Sequence, residues 1–236
     1  IRVPLFYAEM DNSAANSATS SMRRLIVAQV NDDIAPGEVG KLVLVSSVAL
    51  AKSIGGQGSM LASMYETFRK ADPIGEIWCL PLHNATGAIA KGVVNLTGTA
   101  TQAGVLNLYV GGVRVQATIA NGATAAQAAT SLAQKVNATA DLPVSATVAE
   151  GVVTLNAKWT GDSGNDISLQ FNRLGKSNGE ETPAGLVTAI TPMIGGVGVP
   201  DQVAAVAALG DEPFEFIALP WSDLATLNTW QAVMDD

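Results

Sequence analysis

The stretch Leu106-Asn107-Leu108-Tyr109-Val110-Gly111-Gly112-Val113-Arg114-Val115-Gln116-Ala117-Thr118-Ile119 decides how the chain divides. Leu106, Leu108 and Val110 alternate with Asn107 and Tyr109. Beyond the glycines, Val113, Val115, Ala117 and Ile119 alternate with Arg114, Gln116 and Thr118. A period of two marks a strand, because successive side chains point to opposite faces. Two such runs joined by Gly-Gly read as a hairpin. Downstream, Thr124-Ala125-Ala126-Gln127 has the form of a capping box. It opens a helix whose face is Ala125, Ala129, Leu132 and Val136. Val144–Ala149 and Val152–Lys158 read as a second hairpin around Glu150-Gly151, and Ile167, Leu169 and Phe171 as a further strand. Residues 93–194 are therefore expected to form a β-rich unit of antiparallel hairpins plus one helix.

On either side the texture changes. Arg24-Leu25-Ile26-Val27-Ala28-Gln29-Val30 reads as a buried strand. Asp33 to Gly40 reads as a turn, and Leu42–Val45 as a second strand or the approach to a short helix. Ser59 is suited to cap a helix carrying Met60, Leu61, Met64, Tyr65 and Phe68 on one face, and Asp72-Pro73 ends it. Glu76 to Leu82 is another strand. The same alternation returns after the β-rich unit: a helix over 203–209, a strand over 214–220 and a helix over 223–234. Strand and helix in alternation imply an α/β layer. The fold expected is an α/β (α+β) core domain, residues 1–92 and 195–236, with the β-rich domain 93–194 inserted into it.

Composition narrows the function. Net charge is −8 over 236 residues, so phosphate is repelled, and the densest basic cluster is Arg23-Arg24. Nucleic acid is thereby excluded as a partner. The longest apolar run, Leu42 to Ala51, is broken by Ser46 and Ser47 and falls short of the ~20 residues of a membrane span. The opening Ile1-Arg2-Val3-Pro4 has neither the apolar segment of a secretory signal nor an initiator Met. The single cysteine, Cys79, sits in an apolar run and reads as a buried thiol, in keeping with a reducing compartment.

Motifs that would carry chemistry are incomplete. Gly161-Asp162-Ser163-Gly164 has the form of a serine-nucleophile loop, but a triad also needs a histidine in position. The one histidine, His83, stands in Leu82-His83-Asn84, unlike the protease motif. Gly55-Gly56-Gln57-Gly58-Ser59 before a helix could cradle phosphate, yet it lacks the Walker lysine and the last glycine of the dinucleotide fingerprint. One His and one Cys cannot make a zinc site, and the acidic pair Glu180-Glu181 reads as solvated. No catalytic residue, metal or cofactor is expected. The opening arm, residues 1–10, is extended by its alternation, and Pro4 bars a central strand position. It reads as a free tail or as a strand laid along a neighbour's sheet edge.

Several segments together resemble the contractile tail sheath proteins of Mu-like bacteriophages and prophages. They are Arg2-Val3-Pro4-Leu5-Phe6-Tyr7-Ala8-Glu9 with Asp11-Asn12-Ser13, then Gly58-Ser59-Met60-Leu61, then Glu76 to Leu82. Ala140-Asp141-Leu142-Pro143-Val144, Gly164-Asn165-Asp166-Ile167 and Ala208 to Ile217 follow in order. The resemblance implies a virion structural subunit without enzymatic activity, assembled in the host cytoplasm. It implies hexameric rings stacked around a tail tube, whose contraction drives the tube through the host envelope. Its partners would be other sheath subunits, the tail tube protein and the baseplate, with no nucleic acid and no membrane. Arg2, Val3, Pro4, Leu5, Phe6 and Tyr7 become an inter-subunit connector. Family members continue past the equivalent of Asp236, so this chain is expected to be a truncated one. The competing reading is a β-sandwich adhesin or receptor-binding module on an α/β base, for which Tyr109 and Trp159 are the candidate ligand-stacking aromatics of the insertion.

Overall fold

The computed structural model describes residues 22–35, 37–84 and 86–234; the expected arm, residues 1–10, lies outside them. In chain order the elements are β1 (Arg24–Gln29), β2 (Val43–Leu44), α1 (Val48–Gly55), α2 (Met60–Ala71) and β3 (Ile77–Leu82). There follow β4 (Ile89–Gly98), β5 (Gly104–Val110), β6 (Val113–Ile119), α3 (Ala125–Ala138), β7 (Val144–Ala149), β8 (Val152–Thr160), β9 (Leu169–Phe171) and β10 (Leu186–Ile194). The last are α4 (Gln202–Ala207), β11 (Phe216–Ala218) and α5 (Leu224–Met234).

The α/β expectation holds. One sheet has the order β11-β1-β3-β2, with β1 parallel to both β3 and β11 and β2 antiparallel to β3. Leu25 to Ala28 of β1 and Ile77 to Leu82 of β3 are apolar without alternation because each strand feeds two cores. Ile26 and Ala28 of β1, with Ile77 and Cys79 of β3, belong to the core shared with α1 and α2. Leu25, Val27, Leu80 and Leu82 point the other way, into a smaller core with Ala205 of α4 and Trp230 of α5. Helices thus cover both faces, the arrangement in which strands lose their alternation.

The β-rich residues form two antiparallel sheets, β10-β4-β8-β7 and β6-β5-β9. The Gly-Gly hairpin is β5–β6, with Val110 opposite Val113. Gly111 and Gly112 take φ of +56° and +84°, values that L-residues avoid and this turn requires. Helix α3 packs on β6 and β7, burying Ala129, Leu132 and Val136 as expected, together with Ala128 and Ala133.

Two strands of the larger sheet go unread in the sequence. β4 begins at Ile89, so the expected boundary between residues 92 and 93 falls inside it. β10 contains Pro192, which demotes a strand pattern; the structure tolerates it because β10 is an edge strand with an irregular register between Thr191 and Ile194. The strand expected from Ile167 starts only at Leu169, because Ile167 closes a 3-10 turn over Asp162–Asp166.

Candidate functional site

The residues singled out for possible chemistry are occupied in structural roles. Ser163 donates to Gln29 Oε1 at 2.8 Å and accepts from Trp159 Nε1 at 3.0 Å. His83 Nε2 lies 3.1 Å from the Ile34 carbonyl; the two do not form a nucleophile–base pair. In the glycine loop, Ser59 caps α2 by accepting from Ala62 N. Gly58 adopts φ +75°, and a Cβ there would collide with the Leu142 carbonyl. That close approach to the Leu142 carbonyl is what requires glycine at this position. Cys79 is buried, and burial pushes its thiol up to about 12, so it is protonated and unreactive at neutral pH. Among the described residues no group of three or more His, Cys, Asp or Glu is placed to hold a metal ion. No helix among them is long and apolar enough to cross a membrane.

The basic pair Arg23-Arg24 is consumed by acids. Arg23 pairs with Glu212 at 2.5 Å, with its guanidinium 5.1 Å from the ring centres of both Trp78 and Phe214. Arg24 pairs with Asp72 at 2.9 Å. The Gly75 N–H, with Arg24 beside it, holds the Asp72 carboxyl below its ordinary value against the opposing effect of burial. The acidic pair Glu180-Glu181 separates into two environments. Glu181 is exposed and meets Lys176, whereas Glu180 is buried and accepts from Tyr109 Oη, Arg114 and Leu174 N. The two aromatics a glycan reader would need are hidden: Tyr109 is 7% exposed and Trp159 4%.

The structure instead builds a stiff junction between the α/β sheet and the β-rich sheets. Asp32 accepts from the N–H and hydroxyl of Thr160, and Gln29 Nε2 donates to the Thr160 carbonyl at 2.7 Å. Lys158 Nζ donates to the carbonyls of Gln57 at 2.9 Å and Ala140 at 2.8 Å, one on each side of the seam. Lys52 pairs with Asp141 at 2.8 Å. Beneath these bonds one buried cluster runs through both sides, from Ile26 and Tyr65 to Leu132 and Leu155. Each polar crosslink alone contributes on the order of 1 kcal/mol; together with the shared core they fix the relative orientation of the two sides.

Among the described residues, two of the open surfaces lie on the α/β side. One is the sheet edge at β11, which pairs with β1 on one side (Arg24 with Phe216, Ile26 with Ala218) and with no other strand among the described residues. Phe216 on this edge is 55% exposed. An unpaired edge is a template for a further strand. The other is the outer surface of α4 and α5. Sequence reading missed both, because exposure at an edge depends on which strands pair. The arm residues Arg2, Val3, Pro4, Leu5, Phe6 and Tyr7 lie outside the described residues.

Comparison with known proteins gives one strong match. The chain is 37% identical over 234 residues to the Mu-like prophage FluMu tail sheath protein of Haemophilus influenzae, covering 98% of this chain and 47% of the relative. The chain thus spans about half the length of the curated relative it matches. No family model matches. Among solved structures, sheath tail proteins of Listeria innocua and Desulfitobacterium hafniense align over 93% and 98% of this chain and 45% and 48% of their own. Their identities are 11% and 16%, each with a TM-score of 0.33.

Proposed function

We propose, from the premise that this chain is homologous over 98% of its length to a Mu-like prophage tail sheath protein, that it is part of a structural subunit of a contractile phage tail sheath. The observation that carries the reading is that match, across both the α/β and the β-rich residues. The subunits stack as hexameric rings around the tail tube and, on a signal from the baseplate, contract to drive the tube through the host envelope. The protein is not an enzyme. It is made and assembled in the host cytoplasm and resides in the virion tail.

The expected division holds in this reading, residues 1–92 and 195–236 as the core domain of that subunit and 93–194 as an inserted domain facing outward, with the first boundary moved back to Ile89, where β4 begins. The polar and apolar junction between them supports a mechanical role, because a subunit that transmits force must not bend at its internal seam. Arg2, Val3, Pro4, Leu5, Phe6 and Tyr7 act as a connector that adds a strand to a neighbour. Main-chain hydrogen bonds of that kind survive large rotations of the subunits they join.

Electron microscopy of the full-length protein, with and without its cognate tube protein, tests the reading. Striated tubes or sheaths are the expected outcome, and deletion of residues 1–8 then blocks polymerisation. Monodisperse particles under both conditions would overturn it.

A further inference from the structure

Between β9 and β10, residues 173–181 carry a single buried residue, and it is Glu180. Leu174, the apolar side chain that could have anchored the segment, is 50% exposed. The segment is otherwise bonded mainly to itself. Gly175 N donates to Asn172 O at 2.9 Å, Asn178 N to Gly175 O at 3.0 Å, Gly179 N to Lys176 O at 3.0 Å and Glu180 N to Gly175 O at 3.2 Å. Asn178 Nδ2 donates to the Leu174 carbonyl at 2.7 Å, and Lys176 pairs with Glu181 at 2.9 Å. The ends are held. Asn172 Nδ2 reaches Thr182 Oγ1 at 3.0 Å, Asn172 N donates to Asn107 O at 3.0 Å, and Thr101 N donates to Ala184 O at 2.7 Å. Joined ends and an interior bonded to itself are the anatomy of an Ω loop, which ordinarily holds itself down by packing its own side chains. Here a carboxylate takes their place.

Among the described residues, the hydrogen bonds from this segment to the sheet beneath it meet at Glu180. Its Oε1 accepts from Tyr109 Oη at 2.5 Å and from Arg114 Nη1 at 3.2 Å, while its Oε2 turns back to Leu174 N at 2.9 Å. Arg173 sets its guanidinium 6.0 Å from the centre of the Tyr109 ring. Tyr109 of β5 stands opposite Arg114 of β6 and Gln170 of β9. Cross-strand neighbours share a face, so the face met by the segment is polar.

We infer that residues 173–181 form a latched strap: Glu180 is the latch, Tyr109 and Arg114 are the catch, and the strap opens as a local unit while the sheets beneath it stay folded. Local opening selects segments with few buried apolar contacts, and this one substitutes a single hydrogen-bonded carboxylate for them. Opening uncovers Tyr109 with Arg114 and Arg173 beside it, so Glu180 decides when that aromatic, cationic face meets solvent. The charged and titratable groups around the latch are Tyr109 of β5, Arg114 of β6, and Arg173, Lys176 and Glu181 of the strap. Of these, Glu181 alone titrates in the same range as Glu180. Burial opposes the charge on Glu180, but the Tyr109, Leu174 and Arg114 bonds outweigh it. The latch is therefore closed at neutral pH and releases as pH falls through the depressed value.

The test uses the full-length protein and the variants Glu180→Gln, Tyr109→Phe and Glu181→Gln. Trypsin cleavage after Arg173 and Lys176 is followed at neutral pH under native conditions, with amide hydrogen exchange measured in the strap, β5 and β8. Cleavage of a segment that opens and closes quickly tracks its open population. Glu180→Gln is expected to raise cleavage at both sites about tenfold, with exchange in β5 and β8 unchanged. Tyr109→Phe, which keeps the ring and removes one bond to the latch, is expected to raise it less. Glu181→Gln loses only an exposed pair and is expected to stay within about twofold of the wild type. Strap exchange, corrected for its intrinsic rate, is expected to rise in the wild type below about pH 4.5 and to stay flat in Glu180→Gln. Cleavage of Glu180→Gln at the wild-type rate overturns the latch. Equal acceleration in the strap, β5 and β8 overturns the local opening, because Glu180 would then hold the sheets. A Glu180→Gln protein unfolded by circular dichroism overturns it for the same reason. Wild-type behaviour of Tyr109→Phe removes Tyr109 from the catch, and a Glu181→Gln effect as large as that of Glu180→Gln overturns the choice of Glu180. Each of these failures leaves the sheath reading intact.

Discussion

Glu180 shows how much a single side chain can hold in place. Burial works against its charge, but the Tyr109 hydroxyl, the Leu174 N–H and Arg114 bind the carboxylate and keep its pKa below the ordinary value of 4.5. A depressed carboxylate stabilises the fold above its unfolded pKa, and that contribution is lost as pH falls through the folded value. Urea unfolding midpoints are therefore expected to fall in the wild type below about pH 4.5. In Glu180→Gln the midpoint is already lower at neutral pH and flatter through the acid window; equal slopes in the two proteins would count against the assignment. The same loop shows the opposite character at Glu181, one residue away and exposed, a difference invisible in the acidic pair as written. Gly58 is a second such residue. Alanine there must keep φ +75° and drive a methyl into the Leu142 carbonyl, so Gly58→Ala is expected to cost about 2–4 kcal/mol in denaturant titration.

At the scale of elements, α3 was legible from its sequence because its signals are local. Thr124 Oγ1 accepts from Gln127 N at 3.3 Å, and the Gln127 side chain accepts from Thr124 N at 2.9 Å. Thr124→Ala should lose about 1 kcal/mol of stability. Leu132→Ala, which opens a cavity beneath the same helix at a fully buried position, should lose about 2–5 kcal/mol. A calorimetric loss at Thr124 as large as that at Leu132 would show that the cap does more than start the helix. The hairpins β5–β6 and β7–β8 were legible for the same reason, since a two-residue turn and a period of two lie within a dozen residues. β10 was not. Its pairing partner, β4, lies roughly ninety residues away, with Val187 opposite Thr97, and nothing near Pro192 announces that the strand is an edge.

For the whole molecule the consequence of the shared core is cooperativity. The cluster that contains Ile26 of β1 also contains Leu155 of β8, and Asp32 and Lys158 bond across the seam above it. Amides of β1 and β8 are expected to exchange with solvent hydrogen through one global opening, with the same free energy and the same denaturant dependence. Two distinct openings would show that the inserted residues unfold independently. By itself the sequence determined the class of each segment: the strands read over Arg24–Val30 and Glu76–Leu82, the capped helices and the Gly-Gly hairpin. These follow from periodicity, turn residues and composition, which act over a few residues at a time. Only the tertiary structure decided that Glu180 and not Glu181 is buried and that Tyr109 and Trp159 are hidden. It alone decided that β11 is an edge and that α4 and α5 leave an apolar, acid-capped surface uncovered. Burial and pairing are set by segments far apart in the chain, and a single sequence carries no direct record of which distant strands meet.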